Sequence, residues 1–320
     1  NVQWNRKYYE SGDFLIQMTS NQYRKDIKYI YTQERDELGM VQKVSWQGEK
    51  MVEISGFFME KVLNDKIIYP TFYGSGEITT VLAQMINEYK KDIPIEINVS
   101  KDNGDKIDFQ ATGDELGKKL YEILQTQEMS YKVIYDYLNN KIQLIFYKGE
   151  DKTQDSGGDT FVTFSTSWDN LNEPILDIDE SNYKNYFVVA GTGEADERIT
   201  VNVDLSNGGY RKEAFIDERN TKYNSSEQTL DQYKLELQQK GLEKALDYEI
   251  VENISFKIKP QGYTYLVDYD LGTKCDCMIN ELGLTLQIRV TAIHEVFKEG
   301  KHEIEIEIGT PIKSNMQLRQ

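Results

Sequence analysis

Between Asp13 and Met59 apolar side chains recur at every second position: Phe14, Ile16 and Met18, then Ile27, Tyr29 and Tyr31, then Val52 and Ile54. Period-two runs of this kind, bounded by Gly12, Gly39 and Gly48, predict antiparallel strands with one covered face. At Gly74-Ser75-Gly76 the period changes. Ile78, Val81, Leu82, Met85, Ile86 and Tyr89 recur at helical spacing up to Pro94, which predicts a helix of about three turns. Asp114, Leu116, Leu120, Ile123 and Leu124 predict a second helix, capped at Thr112 or Gly113. Alternation returns with Tyr131, Val133 and Tyr135 and again with Ile142, Leu144 and Phe146. Between them Asn139-Asn140 accepts positive φ, the signal of a hairpin. Residues 76 to 148 therefore read as an α/β module set between β-rich stretches.

Gly149 to Asp159 is polar and holds no apolar anchor, so it is expected to be a mobile loop. Strand patterns resume at Phe161 to Phe164, Tyr186 to Ala190 and Ile199 to Val203, and are expected to complete the first β unit. Ser225 or Ser226 is expected to cap a helix through Leu230, Tyr233, Leu237, Leu242 and Leu246 that is exposed over most of its circumference. Ile254, Phe256 and Ile258 alternate up to Pro260, and Leu284, Leu286, Ile288, Val290 and Ala292 alternate again. Near the end Ile304, Ile306 and Ile308 oppose Glu303, Glu305 and Glu307, a strand with one wet face. The fold class is α+β, mainly β. A first β domain spans residues 1–75 and is completed by about 160–205; the α/β module and loop span 76–159. A second β domain spans 206–320, with a helical elaboration at about 225–248.

Length supports this division, because 320 residues exceed the ~250–300 that one core usually serves. The 37 basic against 54 acidic residues give a net charge of -17, which argues against a surface that holds nucleic acid by its phosphates. Aromatics at 12 %, with 22 tyrosines and only five prolines, describe a folded rather than a disordered chain. Cys275 and Cys277, two apart, are expected to be free thiols, and with His294 and His302 the only imidazoles no zinc-finger set is assembled. No stretch reaches the ~20 apolar residues of a membrane span, so no membrane insertion is expected. The chain opens on Asn1 rather than methionine, so a processed or trimmed start is expected.

The chemistry-bearing patterns are weak. With 54 acidic residues, pairs suited to glycoside hydrolysis arise by chance, and Glu303, Glu305 and Glu307 read better as a solvated strand face. Asp177-Ile178-Asp179-Glu180-Ser181 begins like a calcium loop, yet Asn182 stands at the turn-glycine position and Val188 at that of the bidentate glutamate. Gly191-Thr192-Gly193 follows a strand but lacks the third glycine and the helix of a dinucleotide site. His294 is a lone strand histidine, and no Gly-x-Ser-x-Gly motif occurs. Arg6-Lys7 and Arg24-Lys25 are pairs rather than a basic stripe. No catalytic, cofactor-binding or metal-ligating residue is assigned, no binding residue is singled out, and an interaction or assembly role is expected.

The order of short motifs then becomes informative. Tyr8-Tyr9-Glu10-Ser11-Gly12-Asp13-Phe14, a tryptophan strand, and Glu53-Ile54-Ser55-Gly56 resemble the start of phage tail hub proteins. Tyr269-Asp270-Leu271-Gly272-Thr273-Lys274-Cys275 resembles their Asp-Leu-Gly-Asp turn, with Thr273 in place of the second acid, and Arg289 to Glu295 resembles their penultimate strand. The chain is thus similar over nearly its whole length to the gp-thirty-seven-like siphovirus tail family. That resemblance implies two small β-barrel-like domains with an inserted α/β module, and no enzymatic activity or cofactor. It implies a trimeric ring at the virion tail tip, made in the bacterial cytoplasm, that joins the tail tube or distal tail protein to a tip or spike protein. DNA would pass through without specific binding, and an acidic lining would keep its phosphates off the wall. A tail-associated hydrolase using paired carboxylates, and a calcium-dependent or glycan-binding β module, are the alternative readings.

Overall fold

The computed structural model describes residues 1–46, 48, 50–99, 106–226, 228–257 and 262–309. Strands account for 44 % of the chain and helices for 20 %, so the fold is mainly β. Strands β1 (Val2–Lys7), β2 (Asp13–Thr19), β3 (Tyr29–Ile30), β4 (Gly39–Trp46) and β5 (Met51–Phe58) come first. A 3-10 segment, Met59–Asp65, leads to β6 (Phe72–Glu77), α1 (Ile78–Tyr89), β7 (Glu96–Asn98) and β8 (Lys106–Ala111). Then come α2 (Leu116–Gln125), β9 (Ser130–Asp136), β10 (Lys141–Tyr147), β11 (Thr163–Ser165) and β12 (Asn172–Asp179). The remainder is β13 (Tyr186–Ala190), β14 (Thr200–Asp204), β15 (Glu213–Asp217), α3 (Leu230–Ala245), β16 (Val251–Lys257), β17 (Lys274–Ile279), β18 (Leu284–Lys298) and β19 (Lys301–Gly309).

One sheet joins the two ends of the chain. Its order is β12-β16-β19-β18-β1-β2-β5-β4-β3, with β17 and then β11 attached along the first half of β18. From β12 to β4 each pairing is antiparallel. Alternation sets which face is covered. Trp4, Phe14, Ile54, Ile293, Ile306, Ile308, Ile254 and Phe256 point inward and are buried, while Glu303, Glu305 and Glu307 take the outer face. The strong Ile/Glu alternation of the tail is thus a strand with one wet side.

A separate core gathers from residues 59 to 146 around α1 and α2, with β7-β10-β9 and β6-β8 as small sheets beside them. All six apolar residues that define α1 are buried. Gly74 is required where β6 passes under this helix, because a Cβ there would sit 2.5 Å from Val81 and 2.7 Å from Phe109. The hairpin β9-β10 turns at Asn140, which takes φ of 52°.

Several expectations are corrected. No sheet closes into a barrel among the described residues. Among the described residues none of the strands between 160 and 205 pairs directly with a strand of residues 1–75. Instead β11 pairs β17, β12 pairs β16, and β13 forms its own three-stranded sheet with β14 and β15. Helix α2 starts after Glu115, with no side-chain cap. The third helix is capped by Thr229 rather than Ser225 or Ser226, through a reciprocal pair of hydrogen bonds with Gln232. It is less exposed than expected: Tyr233, Glu236, Leu237, Gln239, Gly241 and Ala245 are buried, several of them against β13 and β14. The stretch expected to be a mobile loop is tied down in its first half. Lys274 N–H donates to Glu150 O, Lys152 N–H to Lys274 O, and Gln154 N–H to the Asp276 carboxylate. Ile258 and Pro260 lie outside the described residues.

Candidate functional site

At the seam where β1 meets β18, charges occupy inward positions of an otherwise apolar face. Arg6 follows Val2 and Trp4 in the alternation of β1 and is 4 % exposed. Its Nε donates to Glu37 Oε1 at 2.6 Å, and its Nη1 reaches both Tyr265 Oη at 2.7 Å and Asp270. Burial alone would lower the Arg6 pKa; Glu37, Tyr265 and Asp270 overcome it and hold the group well above its ordinary value. Glu295, fully buried between inward Ile293 and Phe297, accepts from Arg35 Nε at 2.9 Å and from Tyr265 Oη at 3.2 Å, and contacts His302 Nε2 at 2.9 Å. Strands β1 and β18, the segment before β4 and the 265–270 loop are thereby bound into one ionic brace.

The turn from Tyr269 to Cys275 belongs to this brace. Asp270 N–H donates to Thr273 Oγ1 at 3.0 Å, so the threonine hydroxyl closes the turn. Gly272 has φ of 88° and packs on the Tyr8 ring, 2.3 Å from where a Cβ would stand. Tyr8 Oη in turn donates to Glu128 O and accepts from Gly149 N–H, while Arg289 donates to the carbonyls of Gly149 and Gly272 and to the Glu128 carboxylate. Glu128 of the module and Gly149, which follows it, meet the main sheet here.

A crevice beside Arg6 is lined by Glu37, Glu60, Tyr121, Tyr131 and Tyr147, among others, and encloses about 20 Å³, little more than one water molecule needs. Glu60 Oε1 accepts from Val133 N–H at 2.8 Å, and Oε2 has no partner among the described residues. Burial pushes this carboxyl up to about 7, against the lowering effect of the Val133 N–H. The crevice has no room for a sugar ring. Glu37 and Glu60, which face it, are separated in role: one balances Arg6, the other stands without a nearby cation bonded to it.

The residues weighed from sequence lie apart. Cys275 and Cys277 are free and buried in the core, where burial pushes the Cys277 thiol up to about 12. His294 bonds Asn5 and Glu307 across the outer sheet face, each at 3.0 Å. Asp177 and Asp179 lie on β12, and Asp179 accepts from Ser181 N–H. Gly191 serves packing, since a Cβ would meet Tyr233 Oη at 2.2 Å. Among the described residues no three His, Cys, Asp or Glu side chains gather to hold a metal. The brace went unread, although an arginine and a glutamate at inward positions of apolar alternations were its signal.

Both ends of the main sheet are open. β3 pairs β4 only at Gly39 and Met40, so Gln42 to Ser45 have no strand on their far side among the described residues. At the other end β12 pairs only β16 among the described residues. Apolar side chains stand exposed at both: Val44 at 47 % and Trp46 at 65 % on β4, Ile175 at 68 % and Ile178 at 42 % on β12. Open edges of this kind invite pairing with another chain.

Sequence comparison agrees with the motif order. A family model described as Siphovirus ReqiPepy6 Gp37-like protein matches residues 1–310. The chain belongs to this family. The Gp37-like chain is therefore a phage or prophage tail protein, and solved structures share its fold. It is 14 % identical to the 43 kDa tail protein of prophage MuSo2 from Shewanella oneidensis, with a TM-score of 0.57 over 96 % of this chain and 93 % of that one. The tail protein from Neisseria meningitidis MC58 is 10 % identical, with a TM-score of 0.59 over 96 % and 91 %. Prophage tail protein gp18 from Listeria monocytogenes EGD-e is 14 % identical, with 0.57 over 98 % and 89 %. Among curated proteins, none matches. No helix among the described residues is long and apolar enough to cross a membrane.

Proposed function

We propose that this Gp37-like chain is a structural part of the virion tail tip, where three copies form a hub ring joining the tail tube to a tip or spike protein. The observation that carries this reading is a mainly β tail protein whose central sheet is left open at both ends, with apolar side chains exposed there. The charge supports a conduit. Residues 149–229 hold 17 acidic and 7 basic side chains, whereas residues 1–75 hold ten of each, so the negative charge is concentrated in one stretch. Facing a channel, that stretch repels DNA phosphates and lets the duplex pass unbound. Assembly would follow synthesis in the bacterial cytoplasm.

Electron microscopy of the purified chain mixed with its tube protein tests the proposal. The expected result is a ring with threefold symmetry capping the tube, and gold-labelled antibody at the tail tip of intact particles. A chain that stays monomeric with both tube and tip proteins present overturns it, as does a ring whose channel wall is basic.

A further inference from the structure

We propose that β12 of one copy pairs antiparallel with the open edge of β4 in the next, so that the main sheet runs on from subunit to subunit. This rests on the reading that the chain self-assembles. The two edges complement each other in three ways. Direction is the first: eight strands from β12 to β4 alternate strictly, so a copy rotated about an axis along the strands presents its β12 antiparallel to β4. Such a contact is head-to-tail, the type that generates rings when the rotation closes. It uses main-chain hydrogen bonds that a free edge leaves unmade.

Facing is the second. Val44 lies opposite Ile54 and Leu176 opposite Ile254, and both partners are fully buried inward residues. The exposed Val44 and Ile178 therefore both sit on the core face of the sheet, and joining the edges prolongs one apolar face. Charge is the third. On the outer face β4 carries the exposed Lys43. β12 carries Asp177 and Asp179 on that same face, with Glu173 at its start and Glu180 just beyond its end. A chain of net charge -17 meets its copy best where one edge is basic and the other acidic.

Two cysteines in the full-length chain test the contact, since Cys275 and Cys277 are buried. Lys43→Cys with Asp177→Cys, oxidised after assembly, is expected to give a ladder of covalent multimers ending in one closed species. Lys43→Glu and Asp177→Lys alone are each expected to weaken self-association about tenfold or more, and the two together in one chain to restore it. Rings that form while the cysteine pair stays unlinked and the charge changes have no effect overturn the edge contact and leave the ring reading standing. Charge changes that weaken capture of tube protein but not self-association assign the edges to the tube and overturn it too. A chain that does not self-associate at any concentration overturns the edge contact and the ring together.

Discussion

Glu295 and Glu60 are the same residue at nearly the same burial, and they live differently. Glu295 receives a guanidinium, a phenol and an imidazole, and its bond to Arg35 holds that guanidinium above its ordinary value despite the cost of desolvation. Glu60 accepts from backbone N–H and is bonded to no cation among the described residues, and burial pushes it up to about 7. Burial sets the penalty for charge; the partners decide whether the charge survives it. The brace around Glu295 and Arg6 therefore fixes which segments meet, while the Glu60 crevice is a place where the fold tolerates a cost.

The comparison is broken most severely at its centre. Arg6→Met removes the cation shared by Glu37 and Asp270, and is expected to cost about 3–5 kcal/mol in urea unfolding. A loss below about 1 kcal/mol would show that the brace does not hold the seam. Gly272→Ala places a methyl group into the Tyr8 ring at positive φ, and a loss of about 2–4 kcal/mol is expected by the same measurement. Glu60→Gln sharpens the other side. A carboxyl that stays protonated in the fold but ionises in the unfolded chain makes stability fall as pH rises from about 4.5 towards 7, levelling above. The glutamine variant, which keeps an acceptor for Val133, is expected to gain about 2–3 kcal/mol at pH 8 and nothing at pH 4. An equal gain at both pH values would assign the effect to packing instead. Smallest of all, Glu173→Gln breaks an exposed pair with Lys257 and is expected to leave the melting temperature unchanged.

Period alone revealed the face each residue takes: Ile78 to Tyr89 and the Ile/Glu tail fold as their spacing dictates. Period does not name a strand's neighbour. β11 and β12 alternate like any strand, yet Thr163 pairs with Asp276, 113 residues on, and Asn172 with Lys257, 85 residues on. Helix α3 misled for another reason. Its buried side includes Glu236, Gln239 and Gly241, polar or small residues that weaken an apolar stripe, and Gly241 is there because a Cβ would meet Val189 at 2.6 Å. The stretch from Gly149 is polar because hydrogen bonds of its backbone and its polar side chains, not apolar packing, hold it in place. The exposed edges were invisible in sequence, since a strand's exposure depends on whether anything stands beside it.

The pairing of β1 with β18 also governs when the fold can exist. Val2 sits opposite Phe297, so β1 waits for a partner made 295 residues after it. At ribosomal rates of ~5–20 residues per second the interval is about 15–60 s, during which the β1-β2 hairpin keeps an unmade edge and a half-covered Trp4. An acidic chain in a crowded cell is repelled by its own kind through that interval, but residues 1–75 are electrically neutral and lack that protection. The ordering of synthesis thus leaves that edge open to pairing with another chain until β18 is made.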